Sequence, residues 1–196
     1  MDREKLKVLL KNELGYLPAN DAIDLLIDFG QEVSYSRGDV MIGVGEMVPD
    51  VFIVESGIIR FVDMNGDRER TFGFALAGTV FMSKHSFVMD LPSYYQVEAC
   101  CESEVLVIKR DAFRKAINES KDLALWMLDY AYGELFYQEH KNKAIHNGTA
   151  AERYRSIYAD RPEILEKVPQ KIIASYLGVT PEYLSKLKRE SLKRPR

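Results

Sequence analysis

Between Pro169 and Arg196 the chain places Lys171, Lys186, Lys188, Arg189, Lys193, Arg194 and Arg196 against only two acids, Glu182 and Glu190. That local balance of +5 sits in a chain of net charge −3, so the remainder carries −8. An acidic body with one basic end has the charge distribution of a protein that meets a polyanion at that end. Ammonium and guanidinium groups pair with phosphate oxygens, while Glu182, Tyr183, Ser185 and Lys186 carry groups that hydrogen-bond to base edges. The chemistry this stretch offers is recognition rather than bond making.

The spacing inside it says how those groups are held. In QKIIASYLGVTPEYLSKLKR, Ile173, Leu177, Val179, Leu184 and Leu187 are apolar at positions that close a small core between two helices. Ala174 lets the second helix cross closely over the first, and Gly178 supplies a sharp turn. Thr180 can cap the second helix, and Pro181 suits its first turn, where no amide donor is missed. This pattern predicts a helix-turn-helix. A plain helical hairpin needs neither the Ala and Gly spacing nor exposed Lys186, Lys188 and Arg189. The start of the second helix, with Glu182, Tyr183, Ser185 and Lys186, would then face the major groove of double-stranded DNA, and Gln170, Lys171 and Arg189 would hold phosphates.

Catalytic and metal chemistry find little to work with. The three histidines, His85, His140 and His146, are scattered, and the only cysteines, Cys100 and Cys101, are adjacent. Sequence neighbours form no ordinary disulfide and lack the spacing of zinc or iron–sulfur ligands. No metal and no cofactor is therefore expected, and the protein is not expected to be an enzyme. The N-terminus, MDREKLKVLLKNELGYLP, mixes charges from its second residue and has no apolar stretch of signal-peptide or membrane-spanning length, which points to a cytoplasmic chain without membrane contact.

The elements that must position the basic end follow from periodicity. Apolar spacings from about Arg3 to Phe29 fit two short amphipathic helices broken at Gly15 to Pro18. From Gln31 to Lys109 the runs EVSYS, DVMIG, VFIVES, GIIRFVDM, RERTFGFA, TVFMS, YYQVEAC and EVLVIK read as eight strands with turn signals between them. Asn65-Gly66 suits a type I′ hairpin turn. Eight short strands favour a jelly roll, a double-stranded β-helix. Beyond Arg110-Asp111 the pattern turns helical, and from Leu123 to Tyr137 apolar residues cover nearly every face. Such a helix needs burial on all sides, so one face should meet the roll and another a second copy of the chain. Thr149-Ala150-Ala151-Glu152 is a capping box that opens a new helix. The expected architecture is α+β: residues 1–146 form a β-roll with flanking helices and a dimer helix at about 112–146, and residues 147–196 form a small all-helical unit without a wing.

Roll, long helix and helix-turn-helix in this order resemble the Crp/Fnr family of bacterial transcription regulators over almost the whole chain. The most specific parts are VFIVESGIIRFV, similar to that family's strand-Gly-strand hairpin, and IASYLGVTPEYLSKLKR. The resemblance implies a homodimeric, sequence-specific DNA-binding regulator with RNA polymerase and a small-molecule effector among its partners. Glu182 and Lys186 stand where family members place base-reading Glu and Arg, but Pro181 replaces a position that is often Arg. The effector pocket implied by the resemblance involves Phe81, Ser83, Lys84, Ser93 and Tyr94. Cyclic-nucleotide-binding members carry a Gly-Glu pair and an Arg-Ser or Arg-Thr there. Here Val97 and Ala99 remain, while Val80-Phe81 and Pro92-Ser93 replace the charged contacts. Without the Arg a phosphate loses its bidentate partner, and Lys84 or His85 would have to compensate. Cyclic AMP is therefore not the expected effector. Phe81, Met82, Phe87, Met89, Tyr94 and Tyr95 could instead enclose an apolar ligand, although filling the roll is the simpler role. Two other functions stay open at this stage: a protein-binding adaptor with a degenerate helix-turn-helix, and a cupin-like enzyme, for which the roll supplies only His85.

Overall fold

The computed structural model describes residues 2–14, 20–65 and 68–192. Two helices, α1 (Arg3–Leu14) and α2 (Asn20–Asp28), precede the strands; the expected break at Gly15 to Pro18 lies outside the described residues. Eight strands follow: β1 (Gly30–Tyr35), β2 (Val40–Ile42), β3 (Val51–Ser56), β4 (Ile58–Asn65), β5 (Arg68–Leu76), β6 (Val80–Met82), β7 (Gln96–Ala99) and β8 (Ser103–Ile108). They form two four-stranded antiparallel sheets, ordered β1-β8-β3-β6 and β2-β7-β4-β5. The β4–β5 register pairs Asn65 with Arg68, so the connection is Gly66-Asp67, which lies outside the described residues, rather than the expected Asn65-Gly66.

Period-two alternation explains why β3 reads as an unbroken apolar run. Phe52 and Val54 point between the sheets, where they meet Ile42, Ile59, Ala75, Val97 and Val105. Val51 and Ile53 point the other way, onto Leu6, Leu10, Ile23, Leu26 and Trp126 of the flanking helices. Buried on both faces, the strand has no polar side to show. The second sheet is covered in turn by the C-terminal helices, since Ile58, Leu76 and Cys100 join Tyr154, Ile157, Ile164, Leu177 and Leu184 in a third apolar cluster. The layers are thus helices, sheet, sheet, helices.

Two features depart from the expected elements. A short helix, α3 (Lys84–Met89), interrupts the stretch between β6 and β7, with Ser83 at its N-cap and Asp90 in the left-handed conformation at its end. The helix expected at about 112–146 is two helices, α4 (Arg110–Glu119) and α5 (Lys121–Asn147). Ser120 is extended between them, and its hydroxyl accepts the Leu123 amide at 3.3 Å, so a side-chain cap starts α5 anew. On α5, Leu123, Trp126 and Tyr130 follow 3-4 spacing along the roll-facing side. Leu125, Leu128, Tyr132 and Leu135 follow 3-4-3 spacing on another side and are about half exposed or more.

The chain then forms α6 (Ala150–Asp160), α7 (Pro162–Lys167), α8 (Gln170–Leu177) and α9 (Pro181–Leu192). The capping box at α6 is present in full: the Glu152 amide donates to the Thr149 hydroxyl at 3.2 Å, and the Thr149 amide donates to the Glu152 carboxylate at 2.7 Å. Held by those bonds, the Glu152 carboxyl titrates below its ordinary range.

The crossing from β3 in the first sheet to β4 in the second occurs at Gly57. It adopts φ +94°, and a Cβ there would lie 2.1 Å from the Ser103 hydroxyl and 2.6 Å from its Cα. Both the conformation and the space exclude a side chain. Gly57→Ala is expected to lower unfolding free energy by about 1–3 kcal/mol in urea denaturation. A change below about 0.5 kcal/mol would show that this crossing is not tight.

Candidate functional site

The α8–α9 pair is built around a turn at Gly178, which takes φ 66° and ψ 35° and closes α8 as its amide donates hydrogen bonds to the Ala174 and Ser175 carbonyls. The Val179 amide donates back to the Ala174 carbonyl at 3.0 Å, and the Thr180 hydroxyl accepts the Tyr183 amide at 3.3 Å, starting α9. Its own amide and the Thr180 hydroxyl hold the Glu182 carboxyl below the usual carboxylate range. Leu184 and Leu187 are buried against Ile173, Ala174 and Leu177. That burial turns Glu182, Ser185, Lys186 and Arg189, at positions i, i+3, i+4 and i+7, outward together, and all four are exposed. Tyr183 is exposed beside them, and Gln170 and Lys171 are exposed on the first turn of α8. The Ser185 hydroxyl donates to the Pro181 carbonyl at 3.0 Å, so toward a ligand it offers only acceptor lone pairs. Lys186 stands 3.9 Å from Glu190, a loose solvent-exposed pair that leaves its ammonium available.

Two positioning groups escaped sequence reasoning. Arg153 on α6 donates to the Gly148 carbonyl at 2.7 Å and to the Leu177 carbonyl at 2.8 Å, tying the end of α8 to the start of the helical unit. Ser175 on α8 accepts the Thr71 amide at 3.0 Å and donates to the Glu69 carbonyl at 3.2 Å, across the outer edge of β5. The Phe74 and Tyr176 rings meet beside it with centroids 5.0 Å apart. Nothing in the spacing of residues a hundred positions apart announces such a contact.

Of the expected effector residues, Phe81, Lys84 and Tyr94 line one cleft between the roll and α5, whereas Ser83 and Ser93 are buried and do not line it. Phe81 stacks on Phe52 at 5.0 Å and meets Phe61 edge-on at 5.4 Å, filling the space between the sheets. The Tyr95 hydroxyl, buried and pushed up to about 12 by desolvation, donates to the Met82 carbonyl at 3.1 Å. Ser83 is spent capping α3, and Ser93 is buried with its hydroxyl on the Tyr95 carbonyl at 2.8 Å. Tyr94 is exposed and lies against His85, with ring centroids 4.5 Å apart. Lys84 is paired with Glu134 of α5 at 2.7 Å, so it makes no phosphate site of its own. Among the described residues no group of His, Cys, Asp and Glu could hold a metal ion, and no helix is long and apolar enough to cross a membrane.

This geometry can be set beside known proteins. Residues 32–120 match the family model of the cyclic nucleotide-binding domain. The matched segment runs from β1 to the end of α4. Over a longer span, the chain has the fold of Crp/Fnr regulators. It superposes on FixK2 from Bradyrhizobium japonicum with a TM-score of 0.69 at 24% identity, covering 82% of this chain and 83% of that one. Against the Thermus thermophilus catabolite activator protein the values are 0.58 and 19%, over 92% and 86% of the two chains. The c-di-GMP responsive regulator CLP of Xanthomonas campestris gives 0.66 and 14%, over 90% and 95%. No curated protein matches in sequence.

In the segment that matches this domain model, Phe81 and Tyr95 fill the roll and the Ser83 and Ser93 hydroxyls are engaged locally, where an anionic ligand would need cations. Millimolar cyclic AMP or cyclic GMP is therefore expected to leave the melting temperature unchanged. A ligand at about 100 times its Kd would add roughly 2.7 kcal/mol, so a clear upward shift would contradict the expectation.

Proposed function

We propose that the protein is a homodimeric, sequence-specific DNA-binding transcription regulator of the Crp/Fnr type. In this reading residues 1–146 form a jelly-roll sensor domain with its dimer helix, and residues 147–196 form a helix-turn-helix unit. The observation that carries it is the outward stripe of Glu182, Ser185, Lys186 and Arg189 on α9, presented by a rigid turn in the basic part of an acidic chain. A helix of this kind places its N-terminal side chains at base edges, while the preceding helix crosses the backbone with Gln170 and Lys171 on phosphates. Thr180 contributes as the cap that fixes where α9 begins.

The second copy is called for by α5. Leu125, Leu128, Tyr132 and Leu135 form a 3-4-3 seam, the spacing by which paired helices interlock, on a side of the helix that the roll leaves open. Large apolar side chains that stand half exposed on a helix lose nothing and gain burial by meeting their own symmetry mate. A two-fold dimer also repeats the DNA contact, which suits an operator with two inverted half-sites. Duplex DNA and a second copy of the chain are the partners this reading needs, and a cytoplasmic setting follows from it.

Substitution separates base reading from charge. Lys186→Ala is expected to cost about 1–3 kcal/mol on the preferred duplex and to relax selectivity at one base pair. Lys171→Ala is expected to weaken all duplexes alike and to lower the salt slope by about one. Fluorescence anisotropy on specific and random duplexes across a salt series reads both. If Lys186→Ala weakens both duplexes equally with a changed salt slope, Lys186 is a phosphate contact only. If the wild-type chain shows no salt-dependent binding to any duplex, the protein is an adaptor rather than a DNA reader.

A further inference from the structure

The two sheets end on strands of unequal length. β1 closes the first sheet with six residues and β2 closes the second with three, so the inner face of β1 is only partly covered, and Val33 and Tyr35 stay half-buried. A cleft of about 320 Å³ opens there, at the lower end of the range for small-molecule sites, roughly 300–1,000 Å³. It shares no lining residue with the cleft between the roll and α5.

Strand register orders its wall. Gln31 pairs with Val107, and Val107 with Phe52, all on the face that alternation turns between the sheets. Val33 and Tyr35 continue that face along β1, and Met41 of β2 lies opposite. One step beyond the last β3–β8 pair, Val51 with Ile108, stand Asp50 and Lys109. Formal charge is therefore confined to one end of an otherwise aliphatic and aromatic wall.

The two charged groups at that end are not equivalent. The Asp50 side chain is 13% exposed, whereas the Lys109 side chain that reaches it at 2.7 Å is 75% exposed. Burial first, and Asp50 next, hold the Tyr35 phenol above its ordinary value, so the carboxylate acts across the cleft. A carboxylate so little hydrated needs a cation beside it. Lys109 supplies one from a long stem that gives up rotamer freedom to do so, and its ammonium is well hydrated when released. An ammonium on a ligand can thus take Asp50 while Lys109 returns to water. A ligand carboxylate in the same place would face Asp50 itself. The Tyr35 and Phe52 rings in the wall suit an organic cation with an apolar body. We propose that this cleft binds a small organic amine, its apolar part between β1 and Phe52 and its ammonium on Asp50 in place of Lys109. The site is separate from α9 and stands whether or not α9 reads DNA.

The test follows amide chemical shifts of the full-length chain, without DNA, as three probes of one shape are titrated in. Phenethylamine is cationic, phenethyl alcohol neutral and hydrocinnamate anionic. The amine is expected to bind saturably at one molecule per chain, and the alcohol and the carboxylate about tenfold or more weakly. Asp50→Asn, nearly the same in shape, is expected to weaken the amine by about tenfold or more. Lys109→Ala is expected to tighten it by about two- to fivefold, the fold-change that the coupling of an exposed ion pair represents. Should Asp50→Asn fail to fold, Gln31→Trp decides in its place: it fills the cleft from an exposed strand position and is expected to weaken the amine by about tenfold. Absence of saturable amine binding would overturn the proposal, as would equal affinity for the alcohol or the carboxylate. Binding unchanged by a folded Asp50→Asn, or by Gln31→Trp, would put the probe elsewhere and overturn it. A Lys109→Ala chain that binds the amine no more tightly would show that Lys109 does not compete for Asp50, and would overturn it too.

Discussion

The outer edge of β5 is the constraint on which the arrangement depends. An edge strand carries unpaired amides and carbonyls that must be paired or covered. Here α8 covers them: the Ser175 hydroxyl takes the Thr71 amide and gives its proton to the Glu69 carbonyl, and Tyr176 closes over Phe74. The strand beneath is kept in place by Arg60, a nearly buried side chain on β4 that reaches Glu98 of β7 at 2.8 Å and Glu69 of β5 at 3.0 Å. Removing either carboxylate would leave a guanidinium short of a partner in a poorly hydrated place, which is why such networks act as rigid ties. With β5 tied and α8 seated on it, the direction in which α9 faces outward is determined by the roll.

The same seating explains how a roll can matter to a helical unit that it does not directly contain. Ile58, Leu76 and Cys100 contribute to the apolar cluster of the C-terminal helices, so the second sheet and those helices share one core. Burial in that core pushes the Cys100 thiol up to about 12, which makes it inert packing rather than a reactive group. Displacing the helical unit would expose these side chains to water.

Much of this was legible from the residues. All eight strands follow from short β-rich runs punctuated by turn residues, and the two helices around Gly178 follow from the apolar spacing of Ile173 to Leu187. The capping box at Thr149 was readable because its bonds span only three residues. What stayed hidden depends on distance in sequence or on one competing side chain. Ser120 splits a run that periodicity alone would leave continuous, because a cap needs only one hydroxyl and leaves the apolar pattern intact. α3 is six residues long, too short for a helical period to show. Ser83 and Ser93 look like pocket residues by position, but each is consumed by a local hydrogen bond visible only once the backbone is placed. The Ser175–Thr71 contact joins residues with no shared pattern.

We propose that α9, positioned this way in a two-fold pair, reads DNA sequence. Selection of bound duplexes from a random pool by the full-length protein tests it most directly. The account predicts enrichment of an inverted repeat whose half-sites lie about 34 Å apart, one helical turn. Recovery of no common sequence would contradict it, and a single half-site without its inverted copy would contradict the two-fold arrangement.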